Sequence, residues 1–297
     1  MRRRDASGYC RLYGPPTRGF GFDRAVMRLP NRPTKLYPGY VFDLDGTVYL
    51  GDSLLPGAAE TILELRRRGS RVVYVTNKPL ETADDYARKL TRLGLATERC
   101  DVVTSVDALV DYLGREHPRA TVLAVAEQST IDEISGAGFT VTAQPLQAQV
   151  VVVSFDRTFD YKKLNAAFQA VRYGGAVIVA TNPDPYCPTP EGGISDCAAM
   201  LAAVEACSGS RAEAVVGKPS VHMARALLAR LGMAASDVAV VGDRLLTDIA
   251  MARSLGMTGV LVLTGATAAG SVDGAPVQPH FVIDSLGELV PEGPAHS

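Results

Sequence analysis

No apolar run in this chain is long enough to span a membrane, and no short hydrophobic stretch follows its basic N-terminus as a secretion signal requires. C-x-x-C spacing is missing as well: Cys10, Cys100, Cys187, Cys197 and Cys207 are odd in number and scattered over 297 residues. That pattern argues against both a disulfide framework and a zinc site, and the expectation is reduced thiols in a cytoplasmic protein without membrane contact. A charge excess is missing too, since 30 Lys and Arg stand against 32 Asp and Glu, a net −2. Such a balance gives no global attraction to nucleic acid. The histidines, His117, His222, His280 and His296, are too dispersed for a histidine-centred site and read as surface or helix-face residues.

What remains is an ordinary globular composition, 47% apolar and 21% charged. The length exceeds one typical domain, so one large or two unequal domains are expected. Residues 1–37 stand apart. Arg2, Arg3, Arg4, Arg11, Arg18, Arg24, Arg28, Arg32 and Lys35 face only Asp5 and Asp23, and prolines and glycines break any period. A basic arm for nucleic acid or a membrane surface is one interpretation. The expectation is a disordered extension, or translation that truly begins at Met27.

The stretch Val41-Phe42-Asp43-Leu44-Asp45-Gly46-Thr47-Val48 organises the rest. Its apolar start has the pattern of a buried strand, and Gly46 ends the strand with Asp43 and Asp45 at the C-terminal edge. Open α/β sheets bind their ligands at that edge. Two carboxylates this close repel, and a divalent cation or one shared proton relieves them. Downstream, a helix over 58–68, a strand over 71–75, and helices over 81–93 and 105–113 continue a β-α-β-α rhythm. The fold class expected is α/β, a doubly wound parallel sheet. Strands over 121–126, 150–154 and 176–180, with helices over 129–137 and 161–171, break that rhythm and read as a second α/β domain inserted into the first. Residues 182–193 read as a turn-rich return loop and 196–206 as a helix. The core is expected over 38–117 and 193–297, resuming at 214–219 with later strands over 237–242, 260–263 and 281–283 and a helix over 245–255 after Asp243.

Four pieces end a strand or open a helix and so can meet in one cleft. They are Asp43 with Asp45, Thr76 with Asn77, Lys218, and Asp243 with Asp248. Paired acids, a hydroxyl, an ammonium and a third acid suit a phosphoryl group beside Mg²⁺, which takes oxygen ligands. Singly each has a plain alternative, such as a helix cap for Thr76-Asn77 or a loop lysine for Lys218. In this order, coincidence is a poor account. The charge pattern alone supports only a metal and phosphate site.

Asp43-Leu44-Asp45-Gly46-Thr47-Val48, with the later pieces, resembles the haloacid dehalogenase superfamily. The order is similar to its class IIA, NagD-like branch, and in detail to the sugar phosphatases of bacterial arabinose operons. The likeness runs from about residue 40 to about 289. It implies a Mg²⁺-dependent phosphatase of small phosphomonoesters, with sugar phosphates foremost, a C2-type cap over 118–192, and a homodimer through that cap. It implies Asp43 as nucleophile, Asp45 as acid and then base, Thr76, Asn77 and Lys218 on the phosphate, and Asp43, Asp45 and Asp243 at the metal, oriented by Asp248. Phosphoglycolate or glycerol phosphate hydrolysis, or a non-catalytic ligand-sensing protein, are the alternatives. Two departures stand out. Lys78-Pro79 follows Asn77 where a small polar residue is usual; Lys78 is either a further cation near the phosphate, altering affinity or reaching a second acidic group on the substrate, or, as expected, points to solvent. Ile194-Ser195-Asp196-Cys197 replaces a P-G-x-G run, which weakens any transfer of phosphoglycolate specificity. Asp156, Arg157, Asn182 and Asp184, at the ends of inserted strands, are the candidates for substrate contact.

Overall fold

The computed structural model describes residues 32–189 and 192–291. Most of the arginine-rich stretch therefore lies outside the described residues. Its last residues do not: Arg32 pairs with Glu288 at 2.8 Å and Tyr37 is buried, so the folded body begins before residue 38.

Six parallel strands form one sheet, in the spatial order Phe281–Ile283, Thr258–Val262, Val238–Gly242, Gly39–Asp43, Arg71–Thr76 and Val102–Thr104. Gly39–Asp43 is buried along its whole length because each face feeds a different layer. Val41 packs with Val73, Val75 and Val240 on one side, while Tyr40 and Phe42 pack with Val72, Tyr74 and Val241 on the other. Each such side chain contributes about 1.5–3 kcal/mol by leaving water. The chain fills one half of the sheet after Gly39–Asp43 and returns to fill the other half beyond Val238–Gly242. The carboxyl ends of these two neighbours therefore flank a topological switch point, where a crevice opens.

A second parallel sheet runs Ala214–Val215, Val177–Ala180, Val150–Val153, Thr121–Val125 and Thr140–Val141. The helix Ser105–Glu116 joins the two sheets. Its start is set by a reciprocal cap between Thr104 and Asp107. Leu109 and Leu113 on that helix share one apolar cluster with Val73 and Val75 of the first sheet and Val122, Val150 and Val152 of the second. The other face of the second sheet, Leu123, Val151 and Ile178, packs on the helices Tyr161–Arg172 and Cys197–Ser208.

Three local expectations are corrected. The core does not resume at 193 or at 214. Ala214 and Val215 pair with Val179 and Ala180, and helix Cys197–Ser208 packs on the second sheet, because apolar residues there have that sheet's face to cover. The 182–193 loop contains an antiparallel pair, Tyr186–Thr189 with Gly192–Ser195. A two-stranded ribbon leaves half its backbone groups outside the ladder, so it tolerates the prolines and glycines that read as loop. The helix expected after Asp243 opens instead with a wide π turn, Leu245–Ile249, before Ala250–Ser254. No helix among the described residues is long and apolar enough to cross a membrane.

Candidate active site

Asp43 ends its strand at the switch point, and Asp243 follows the neighbouring strand there. Between them the chain must turn within contact distance. Gly46 takes a φ of +85°, and a Cβ at this position would stand 2.7 Å from Asp243 Oδ2, so glycine is required twice over. The loop after Thr258–Val262 closes from the other side. Ala266 N donates to Asp243 Oδ2 at 2.6 Å, and the Thr264 hydroxyl donates to the Gly46 carbonyl at 2.7 Å.

Lys218 arrives from the last connection of the second sheet. Its ammonium donates to Asp43 Oδ1 at 2.5 Å and to Asp248 Oδ1 at 2.7 Å, with all three side chains buried. Asp248 also accepts from the Arg244 N–H at 3.1 Å, so the wide turn that carries it serves to aim this carboxylate inward. Asn77 fastens the lysine's backbone. Its Oδ1 accepts the Lys218 N–H at 2.7 Å, and its Nδ2 donates to the Lys218 carbonyl at 3.0 Å and to Asp184 Oδ2 at 2.9 Å. The Asn77 carbonyl in turn accepts from Ser105 Oγ at 2.8 Å and Asn182 Nδ2 at 3.2 Å.

One oxygen each of Asp43, Asp243 and Asp248 lie within 4.8 Å of one another. Three ionised carboxylates around the Lys218 ammonium carry a net −2. Burial pushes Asp43 well above the usual carboxylate range, and Asp248 and Asp243 push it further, while Lys218 pulls it back. Burial likewise drives Asp243 up to about 6, with Asp248 adding to the effect. Desolvation works against the Lys218 charge, yet Asp248 and Asp43 outweigh it and hold the ammonium above an ordinary lysine. We place the charge on Lys218, and the unbalanced charge on the acids. Asp243 Oδ1 is buried without a hydrogen-bond partner among the described residues. An orphaned carboxylate oxygen facing two more acids, all oxygen donors, fits a hard divalent cation such as Mg²⁺.

A cleft open to solvent lies above this cluster. Asp43, Asp45, Thr76, Asn77, Lys218 and Asp184 line it, so six sequence-selected residues share one cavity. Asp243 and Asp248 lie beneath. Asn182 does not line the cleft but braces Asn77 from behind. Asp156 and Arg157 are not brought to it either. Asp156 is buried under Lys163 at 2.6 Å, and Arg157 grips Glu127 through two nitrogens. Both follow Val150–Val153, one strand farther from the Asn77 contact than Val177–Ala180, so their charges serve the fold. Lys78, expected in solvent, is half-buried and lines the cleft, as do Tyr186, Cys187, Asp196, Arg244 and Thr247. Tyr186 and Cys187 were missed because the ribbon that carries them reads as loop; Arg244 and Thr247 had a signal, their place between Asp243 and Asp248.

A family model described as haloacid dehalogenase-like hydrolase matches residues 40–140, and a second, HAD-hydrolase-like, matches 215–289. The sequence is 36% identical over 251 residues to the sugar-phosphatase AraL of Bacillus subtilis (strain 168), spanning 84% of this chain and 91% of that protein. The structure is similar to NagD from E. coli K-12, with a TM-score of 0.80 at 29% identity over 87% of this chain and 100% of that one. It is also similar to glycerol phosphate phosphatase Rv1692 from Mycobacterium tuberculosis in complex with magnesium. There the TM-score is 0.78 at 32% identity, over 85% of this chain and 77% of that one.

Proposed function

The chain belongs to the haloacid dehalogenase-like hydrolases, in their NagD-like branch, and from that premise we propose that it is a Mg²⁺-dependent phosphatase of sugar and other small polyol phosphates. The observation that carries the proposal is the Asp43 carboxylate at the cleft floor, held by Lys218 beside Asp243 and under the opening lined by Asp45 and Thr76.

On this account Asp43 attacks phosphorus in line as the ester P–O bond breaks, which leaves an aspartyl-phosphate on Asp43. Asp45, at the rim of the cleft, gives its proton to the departing alcohol oxygen. Asp45 then takes a proton from the water that attacks the acyl phosphate, and this releases phosphate and restores Asp43. The Thr76 hydroxyl and the Asn77 backbone hold phosphoryl oxygens, and the Lys218 ammonium neutralises charge on Asp43 and the group in transfer. Asp43, Asp243 and the Asp45 carbonyl would hold the cation, which when bound balances the excess negative charge of the site and of the phosphate. Asp248 keeps Lys218 aimed.

Borohydride quenching during turnover tests the covalent step, since it reduces an acyl phosphate to the alcohol. The expected product is homoserine at position 43, read by peptide mass. Turnover with unmodified Asp43 after quenching would contradict the covalent route.

A further inference from the structure

Lys78 stands at a position that the phosphoryl machinery does not use. Its backbone is pinned at both ends: its N–H donates to Thr76 Oγ1 at 3.1 Å, and its carbonyl accepts from the Tyr86 hydroxyl at 3.2 Å. The side chain is half-buried and lines the cleft on the side of the Tyr186–Thr189 ribbon. The short ion pairs at the cleft floor belong to Lys218, and among the described residues Lys78 has no carboxylate at ion-pair distance. The Cys187 thiol, a weak acceptor, stands near it on the same wall of the cleft. An ammonium carries three donors, and one half-buried on a cleft wall has lost part of its water and has donors to give to a ligand.

The groups around it narrow the ligand. Asp184 and Asp196 flank the same part of the cleft, Asp184 tied to Asn77 and Asp196 to the N–H of Cys197. A carboxylate on the leaving group would be pressed against both. Hydroxyl groups would accept from Lys78 and donate to those acids. Tyr186 has its ring beside Gly193 and is 52% exposed at the cleft mouth. An aromatic face beside polar groups suits a ring that is apolar on one side and hydroxylated at its edge.

We propose that Lys78 is the residue that selects the leaving group, binding the hydroxyl oxygens of a neutral sugar or polyol whose phosphoryl group rests on Asp43. This rests on the phosphatase activity proposed above and adds the part of the site that reads the alcohol.

The test compares wild type with Lys78→Met, which keeps the aliphatic stem, and with Lys78→Arg. Phosphate release is followed on a panel of five- and six-carbon sugar phosphates with glycerol 3-phosphate, on 4-nitrophenyl phosphate, and on phosphoglycolate. The expected result for Lys78→Met is a loss of about ten- to hundredfold in kcat/KM on the best sugar or polyol phosphate, the effect of one charge-assisted hydrogen bond. 4-Nitrophenyl phosphate, whose leaving group has no hydroxyl, should change by less than about threefold, and Lys78→Arg should recover part of the loss. Equal losses on the sugar and aryl esters, no loss on either, or the largest loss on phosphoglycolate would each overturn the assignment. A wild type that releases phosphate from none of these esters would instead overturn the phosphatase activity itself, and the role of Lys78 with it.

Discussion

Asp248 shows how much of the site depends on a residue that need never touch a substrate. Both its oxygens are taken, one by the Lys218 ammonium and one by the Arg244 N–H, so it fixes where the cation of Lys218 sits. Asp248→Asn keeps the shape and removes the charge, and kcat should fall about 10–100-fold with a smaller change in KM. A KM effect alone would mean that Lys218 acts only in binding. Asp156 makes the opposite case. It was legible as a strand-end acid and so as a substrate contact, but burial under Lys163 is a tertiary fact that no local pattern carries. Asp156→Ala leaves Lys163 without its carboxylate partner and should cost about 2 kcal/mol of stability, read by urea unfolding, with the substrate ranking unchanged. A changed ranking with unchanged stability would restore Asp156 to the site. Asp43, Asp45, Lys218 and Asp243 could be selected in advance because each ends a strand or opens a loop beside one. Lys78 could be noticed, but its place on the cleft wall could not, since its backbone is held there by Tyr86 of the following helix.

At the scale of elements, the helix Gln128–Gly136 carries a pH-sensitive contact with the body of the protein. Burial raises Glu133 to about 7, helped by Asp107, Asp85 and Asp84 and opposed by Arg99. Below about pH 4.5 the carboxyl is protonated folded or unfolded and has no differential effect. Between about 4.5 and 7 the unfolded chain gives up this proton while the folded one keeps it, so stability falls as pH rises, and above 7 the penalty is constant. Glu133→Gln should therefore leave stability unchanged at pH 4 and raise it by about 1 kcal/mol at pH 8, a figure reduced for partial exposure. Equal differences at the two pH values would contradict this. The long elements were legible from their periodicity, and most bounds fall within two residues. The short strands Val102–Thr104 and Thr140–Val141 were not, because two or three residues cannot show a period. The ribbon from Tyr186 was hidden by its prolines and glycines, and with it went most of the leaving-group side of the cleft.

At the scale of the molecule, two parallel sheets share one apolar cluster through helix Ser105–Glu116. The three longer strands of the second sheet were legible as an interruption of the β-α rhythm. That its first face is covered by the same helix that covers the main sheet was not, because an apolar position does not name its partner. The arrangement brings Lys218, which follows the last strand of the second sheet, to Asp43 at the centre of the first, across 175 residues of sequence. The cleft works only if these two meet, and the central claim is that their meeting makes Asp43 the nucleophile of a metal-dependent phosphatase. Phosphate release from a panel of sugar phosphates, by wild type and by Asp43→Asn, with Mg²⁺ and after chelation, tests it most directly. The expected result is release by wild type that stops on chelation and resumes with Mg²⁺, and a loss of at least about 10³-fold in the variant. Full activity in Asp43→Asn, or release that is indifferent to the cation, would contradict the account.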